Sequence, residues 1–291
     1  MTKTMLVLGA GFSGLAIARL AQSSGMAVSG TTRTQDGAAR LAAAGIPPVI
    51  FDGATTNPGL DAALAAATHL VMSIAPGETG DPALGVLSSQ LAAAPNLRWI
   101  GYLSTIGVYG DHGGQWVDEK TPVTPHSRRS IERAKAEADW QDFAETRKLP
   151  LAILRLSGIY GPGRNTLANL AAGKARTVIK PGQVFNRVHV GDVAGALLML
   201  ARSETGGVYN VTDDEPAPPQ DVVAFAASLM GIAPPPPVAI EDAGLSPMGL
   251  SFYGENKRVA NAAIKAAGYR FAHPEYRGAL ADLWNSGAWR G

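Results

Sequence analysis

The chain has no cysteine among its 291 residues, which excludes disulfides, thiolate nucleophiles and cysteine-ligated zinc or iron–sulfur centres. It has no excess of either charge. Lys and Arg number 25 against 24 Asp and Glu, so nothing in the balance points to nucleic acid or an anionic membrane. It has no uninterrupted apolar run of membrane-spanning length, because glycines break the stretch around Met5 within a few residues. His69, His112, His189 and His273 show no metal-ligand spacing, and His126 stands alone before a helical stretch. These absences lead to the expectation of a cytoplasmic protein acting on a small molecule. No nucleic-acid partner, membrane partner or bound metal is expected.

Short apolar runs alternate with Ala- and Leu-rich helical stretches. The runs are Thr4–Leu8, Ala27–Thr31, Pro48–Phe51, His69–Ile74, Leu97–Leu103, Leu151–Leu156 and Gly207–Val211. Strands alternating with helices build parallel βαβ units. The expected fold is therefore α/β, a Rossmann-type doubly wound parallel sheet of about seven strands with a smaller C-terminal substrate lobe. Residues 1–160, together with about 186–212, are assigned to the dinucleotide-binding domain. Residues 161–185 and 213–291 are assigned to the smaller lobe. Pro234 to Pro237 reads as a stiff surface connector.

The first strand runs directly into Gly9-Ala10-Gly11-Phe12-Ser13-Gly14, followed by a helix from about Ser13 to Ser24. Gly9 permits the turn off the strand, Gly11 lets backbone approach a pyrophosphate, and Gly14 lets the helix pack on the sheet. The N–H groups of Phe12 and Ser13 at the helix start suit an anion. Strand, loop and helix stand in the order a dinucleotide site requires. An NAD-selective site usually has an acid at the end of the second strand, to hold the ribose 2′-hydroxyl. Here the chain reads Thr31-Thr32-Arg33-Thr34, and a guanidinium flanked by hydroxyls suits a 2′-phosphate. NADP is the expected cofactor, with NAD as the alternative. Asp52, after the third strand, is placed at the adenine amino group. Ser73, Ala75 and Pro76, after the fourth strand, are placed along the adenosine ribose.

Four further motifs carry a resemblance. They are Leu103-Ser104-Thr105-Ile106-Gly107-Val108-Tyr109-Gly110, Leu154-Arg155-Leu156-Ser157-Gly158-Ile159-Tyr160-Gly161-Pro162-Gly163, Asn186-Arg187-Val188-His189-Val190-Gly191-Asp192-Val193-Ala194, and Val208-Tyr209-Asn210-Val211. With the glycine loop they resemble short-chain dehydrogenases/reductases of the extended, NAD-dependent epimerase/dehydratase type, over nearly the whole chain. The segment Glu255-Asn256-Lys257-Arg258-Val259, with Gly268 and Tyr269, is similar to an atypical subgroup of that family. The resemblance implies that Thr105 hydrogen-bonds the reacting oxygen, with Ser104 and Tyr109 as further hydroxyl candidates. It implies that Ser157, Ile159 and Tyr160 approach the nicotinamide, and that Arg164 contacts substrate.

One family feature is missing. Where relatives carry Tyr-x-x-x-Lys, this chain reads Arg129-Ser130-Ile131-Glu132-Arg133. Arginine stays protonated at any usable pH and cannot serve as a general base. Arg133 is assigned to a ribose hydroxyl and Arg129 to an anionic part of the substrate. The two are four residues apart on one helical face, and a solvated basic stripe reads equally well from the pattern. Asp192 suits a helix N-terminus. Two functions compete: NADP(H)-dependent reduction or epimerisation of a small polar, sugar-nucleotide-like substrate, and a non-catalytic NADP(H)-binding sensor. The expected assembly is a monomer or homodimer.

Overall fold

The structure, a computed structural model, describes residues 3–291. Strands β1 (Thr4–Leu8), β2 (Ala27–Thr32), β3 (Pro48–Ile50), β4 (His69–Met72) and β5 (Trp99–Thr105) alternate with helices α1 (Phe12–Ser23), α2 (Gln35–Ala43), α3 (Pro58–Ala66) and α4 (Pro82–Ala93). The chain continues through β6 (Trp116–Val117), α5 (Arg128–Arg147), β7 (Leu151–Leu156), β8 (Gly158–Tyr160), α6 (Thr166–Ala171), β9 (Thr177–Ile179), β10 (Arg187–His189), α7 (Val190–Ser203) and β11 (Gly207–Val211). It ends with α8 (Pro219–Met230), β12 (Pro237–Ala239), α9 (Pro247–Tyr253), β13 (Arg258–Val259), α10 (Ala262–Ala266) and α11 (Tyr276–Ser286).

Seven strands form one parallel sheet in the order β11-β7-β5-β4-β1-β2-β3. The chain steps outward from β1 to β2 and β3, then returns to place β4 and β5 on the other side of β1. Strand order reverses at β1, and ligands of such sheets bind outside the strand ends at that point. The seven expected strands are all present. The fifth begins two residues later than expected, at Trp99, because Arg98 still bonds backwards to the Thr68 carbonyl before the β4 pairing starts. It then runs on to Thr105, which places Ser104 and Thr105 in its last two positions.

The chain divides into two compact units. The first comprises the residues up to Val108, Arg128–Arg155 and Val193–Tyr209. Its core is an apolar layer from β1, β4 and β5 with α3, α4 and α5, in which Leu6, Leu60, Leu87, Ile100, Tyr102 and Trp140 are fully buried. Every residue of β4 is buried, as expected for a central strand of a parallel sheet covered on both faces. The second unit comprises Tyr109–Ser127, Leu156–Asp192 and Asn210–Gly291. It is built from short parallel pairs, β6 with β13, β8 with β10 and β9 with β12, and from helices α6, α8 and α11 packed around Leu167, Ala226, Tyr276 and Leu280. Among the described residues no helix is long and apolar enough to cross a membrane.

Candidate functional site

The loop between β1 and α1 is held from below. Thr31, buried in β2, accepts the Gly9 N–H on its hydroxyl at 2.8 Å, and its carbonyl accepts the Ala10 N–H at 2.8 Å. Gly9 has φ +90°, and a Cβ there would meet Ile74 at 2.8 Å. A Cβ on Gly14 would lie 2.4 Å from the Gly9 carbonyl oxygen. Both glycines are required by the protein's own packing. Gly11 is different, since a Cβ there would meet nothing within 4 Å, so no protein neighbour explains its bare backbone. The start of α1 is equally open. Its N-cap is Gly11 with no side-chain cap, whereas Thr34, Asn57 and Asp81 cap α2, α3 and α4 with side-chain oxygens. No side chain therefore caps the first turn of α1, and its N–H groups and positive dipole end suit an anion. A free face at Gly11 beside an uncapped helix start is the shape and charge that a pyrophosphate requires, so these residues fit a dinucleotide.

Thr32 ends β2 half-buried, and Arg33 follows it exposed. Gly37 lets α2 pack onto the Thr32 side chain. Asp52 is exposed after β3. Its carboxylate accepts the Ala54 and Thr55 N–H groups, which lower its pKa and leave the second oxygen facing outward. Ser73 closes β4 by donating its N–H to Leu8, with Ala75 exposed and Pro76 half-buried after it.

At the end of β5 the two adjacent hydroxyls diverge. Ser104 is buried and donates its hydroxyl to Glu137 in a short hydrogen bond. Glu137 is buried as well and receives the Arg155 guanidinium at 2.8 Å. This closed set locks the Ser104 hydroxyl into the first unit. Thr105 is only half-buried, and its oxygen accepts the Gly107 N–H at 3.1 Å, so its own O–H remains to donate. Gly107 also permits a close approach from α5: the point where its Cβ would stand is 2.8 Å from the Ser130 hydroxyl and 3.4 Å from the Thr105 hydroxyl. Ser130 is buried, and the reading of the sequence passed over it. Its signal was its place one residue beyond the position of the family's tyrosine.

Arg129 and Arg133 share α5 but not an environment. Arg129 is exposed. Arg133 is half-buried and lies against β5, donating to the Tyr102 hydroxyl at 3.2 Å and the Leu103 carbonyl at 2.8 Å. Its guanidinium stands 5.6 Å from the Tyr102 ring centre. Burial pushes the Tyr102 phenol up to about 12 against the pull of Arg133, so Tyr102 stays a neutral phenol that accepts from Arg133 and is no substitute for the absent tyrosine.

The remaining sequence-selected residues belong to the second unit. Tyr109 is fully buried and donates its hydroxyl to Asn210 at 2.8 Å, where it organises the motif. Ser157 is buried with its N–H on the Val211 carbonyl, and Ile159 is half-buried in β8 opposite Val188. Tyr160 is buried, and burial raises its phenol far above the ordinary range. Arg164 is exposed beyond the Gly-Pro-Gly turn. His126 is exposed, with its ring against Gly110.

The fold also unites residues that the sequence keeps far apart. His189, Asp192 and His273 bring ligand-type atoms within 4.8 Å of one another. Their hydrogen bonds describe a structural knot. His189 Nδ1 accepts the Gly191 N–H at 3.2 Å, which puts the ring proton on Nε2 and removes the lone pair a metal would need there. Asp192 accepts from the Tyr269 hydroxyl and from the Ala272 and His273 N–H groups. Burial, then the nearby His273, lowers the His189 pKa to about 4 and keeps the ring neutral.

The model of the NAD dependent epimerase/dehydratase family matches residues 5–212. Protein YeeZ of Escherichia coli K12 is 30% identical over 249 residues, covering 80% of this chain and 86% of its own. A conserved protein of unknown function from Silicibacter pomeroyi is 46% identical with a TM-score of 0.89, over 98% of this chain and 99% of its own. Human epimerase family protein SDR39U1, solved with NADPH, shares the fold at 19% identity and a TM-score of 0.73, over 97% of this chain and 99% of its own.

Proposed function

Because the chain belongs to the NAD dependent epimerase/dehydratase family, we propose that it is an oxidoreductase that uses NADP(H) to reduce or epimerise a small polar, sugar-nucleotide-like substrate. The observation that carries the reading is the open face at Gly11 beside the uncapped start of α1, which the protein's own packing leaves unexplained. When bound, the nicotinamide supplies or takes up the hydride. The chain's own residues do the rest. The N–H groups of Phe12, Ser13 and Gly14 hold the pyrophosphate. Thr32 and Arg33 take the 2′-phosphate, Asp52 accepts from the adenine amino group, and Ser73 to Pro76 line the adenosine. Ser157, Ile159 and Tyr160 shape the nicotinamide side, and Arg133 offers its remaining N–H groups to the ribose.

Thr105 donates its O–H to the substrate oxygen, because its acceptor side is already used by Gly107. Reduction of a carbonyl takes up one proton beside the hydride, and solvent supplies it to the Thr105 hydroxyl. Arg129 and Arg164 meet anionic parts of the substrate. One observation favours a second reading, a cofactor-binding sensor without turnover. Arg133 is laid onto β5, and neither arginine of the pair can act as a base.

The test is isotope transfer. The protein is incubated with NADPH deuterated on one face of the nicotinamide C4, in separate samples for each face, together with a small-molecule extract. Deuterium appearing in a product from one face only, and lost by about 100-fold in rate with Thr105→Val, is the expected result. NADPH binding with no transfer from either face, and no epimerised product when NADP+ replaces NADPH, moves the reading to the sensor.

A further inference from the structure

Two strand arginines of this chain present the same edge in different ways. Arg155, in β7, turns the edge formed by its Nε and Nη2 to Glu137, with Nε 3.2 Å from one carboxylate oxygen and Nη2 2.8 Å from the other. Arg187 opens β10 in the second unit. Its Nη1 donates to the Phe185 carbonyl at 2.9 Å and to the Ala217 carbonyl at 3.2 Å, and its guanidinium carbon stands 5.7 Å from the Tyr276 ring centre. These contacts hold the guanidinium and leave its Nε–Nη2 edge without a protein acceptor. Neither nitrogen belongs to the buried polar atoms that lack a partner, so both keep accessible surface in a residue that is half-buried as a whole.

The charge of Arg187 is unanswered as well. Among the described residues, the ion pairs of the second unit engage Lys257, Lys265, His273 and Arg277, and none engages Arg187. The carboxyl that acts on it most strongly is Asp213, and burial, the largest cause, pushes that group up to about 8 against the pull of Arg187. At neutral pH Asp213 is thus mainly uncharged. Burial lowers the pKa of Arg187, yet a guanidinium remains a cation at any usable pH. A half-buried cation without an ionised partner attracts an anion from outside the chain. Register gives that anion a place. Arg187 stands opposite Gly158, which is exposed, and Gly158 leads into Ile159 and Tyr160, assigned above to the nicotinamide side.

We propose that the free edge of Arg187 is a binding site for one oxyanion group of a small molecule, a carboxylate or a phosphate, held side-on by Nε–H and one Nη2–H. The chemistry is that of Arg155 with Glu137, an outside oxyanion taking the part of the protein carboxylate. Two parallel N–H groups on a rigid plane match two oxygens of either group. A cation is repelled, and a neutral polyol brings no charge to meet the guanidinium. Arg129 and Arg164 are exposed, whereas Arg187 is oriented in advance by two backbone carbonyls and loses less rotamer freedom on binding. The inference deepens the proposed function and rests on it only in taking the small molecule to be the substrate.

The experiment follows the arginine Nε–H signals of the full chain by NMR at pH 7, without added cofactor, during titration with glucuronate, with glucose 1-phosphate and with glucose as the neutral control. The Arg187 signal is the one missing from Arg187→Lys, and its through-space contact with the Tyr276 ring identifies it independently should that variant not fold. The expected result is a saturable shift of the Arg187 signal by glucuronate, glucose 1-phosphate or both, and none by glucose. The arm that saturates tells carboxylate from phosphate. Saturation-transfer spectra of that anion are expected to show binding weakened about tenfold or more in Arg187→Lys, which keeps the charge and loses the fork. Three outcomes overturn the proposal: neither anion shifts the Arg187 signal, glucose shifts it as strongly as the anions, or Arg187→Lys binds the anion as tightly as the parent. A chain that binds an anion at Arg187 but transfers no hydride keeps this inference and loses the redox reading, and a chain that transfers hydride with a silent Arg187 does the reverse.

Discussion

The two units treat buried polar groups in opposite ways. In the first unit Ser104, Glu137 and Arg155 form a closed set in which hydroxyl, carboxylate and guanidinium answer one another. Asp81, also buried there, caps α4 and receives the Trp140 indole N–H at 3.1 Å. In the second unit Asp213, His189, Tyr160 and Tyr276 are buried with a polar atom left over. A buried polar atom that no partner answers costs about 1–3 kcal/mol, so the two units differ in how their own side chains meet that cost. The first unit answers these buried groups with its own side chains, and Gly11 and Thr105 stay open to a ligand. The second carries its open valences inside.

The largest test of this contrast is to open the closed set. Glu137→Ala leaves the Arg155 guanidinium buried without its carboxylate and the Ser104 hydroxyl without an acceptor. The expected loss is about 3–5 kcal/mol in denaturant unfolding. A loss below about 1 kcal/mol would show that the ion pair is not what holds β5, α5 and β7 together. Replacing Glu137 and Arg155 together by leucine is expected to cost less than Glu137→Ala alone, because no unpaired charge then remains.

The next test separates glycines that serve the fold from the one that serves a ligand. Gly14→Ala puts a methyl 2.4 Å from the Gly9 carbonyl oxygen, and the backbone must shift. Its expected cost is about 1–3 kcal/mol in stability. Gly11→Ala enters open space, so its melting temperature stays near that of the parent while NADPH affinity falls about tenfold or more. Equal losses of stability in the two variants would remove the argument that Gly11 faces a dinucleotide. Arg33→Ala extends the same logic to the end of β2. NADPH affinity should fall by about tenfold, as one charge-assisted contact implies, with NADH affinity nearly unchanged. Equal loss for both cofactors would overturn the 2′-phosphate assignment.

How much of this was legible in the sequence follows from the range of each signal. The alternating sheet and the glycine loop are local patterns and stand where periodicity and motif spacing put them, whereas β2 and β5 run on past their expected ends, to Thr32 and Thr105. Glu137 was in principle visible. It lies three residues before Trp140 and seven before Ala144, on the buried stripe of an otherwise polar helix, and a lone acid on such a stripe calls for a buried partner. Ser130 was hidden because its burial depends on Gly107, which admits it. The meeting of Arg187 with Tyr276, and that of His189 with His273, were not legible at all. Their members are many tens of residues apart and come together only when the short strand pairs of the second unit form.

The smallest expected effect tests the second unit's side of the contrast. The folded state holds the Asp213 carboxyl up to about 8, whereas an unfolded chain releases the proton near the ordinary carboxyl value of 3.8. Between these values the native protein binds more protons than the unfolded chain, so stability falls as pH rises. The contribution is fully present below about 4 and lost once pH passes about 8. Asp213→Asn removes the titrating group and keeps a neutral donor and acceptor in place. Its melting temperature is therefore expected to gain on the parent steadily from pH 5 to pH 8, with an advantage of about 2 °C or more at the alkaline end. A constant offset across that range would mean that the carboxyl is ionised and answered in the native state. The second unit would then answer its buried carboxyl as fully as the first answers Glu137.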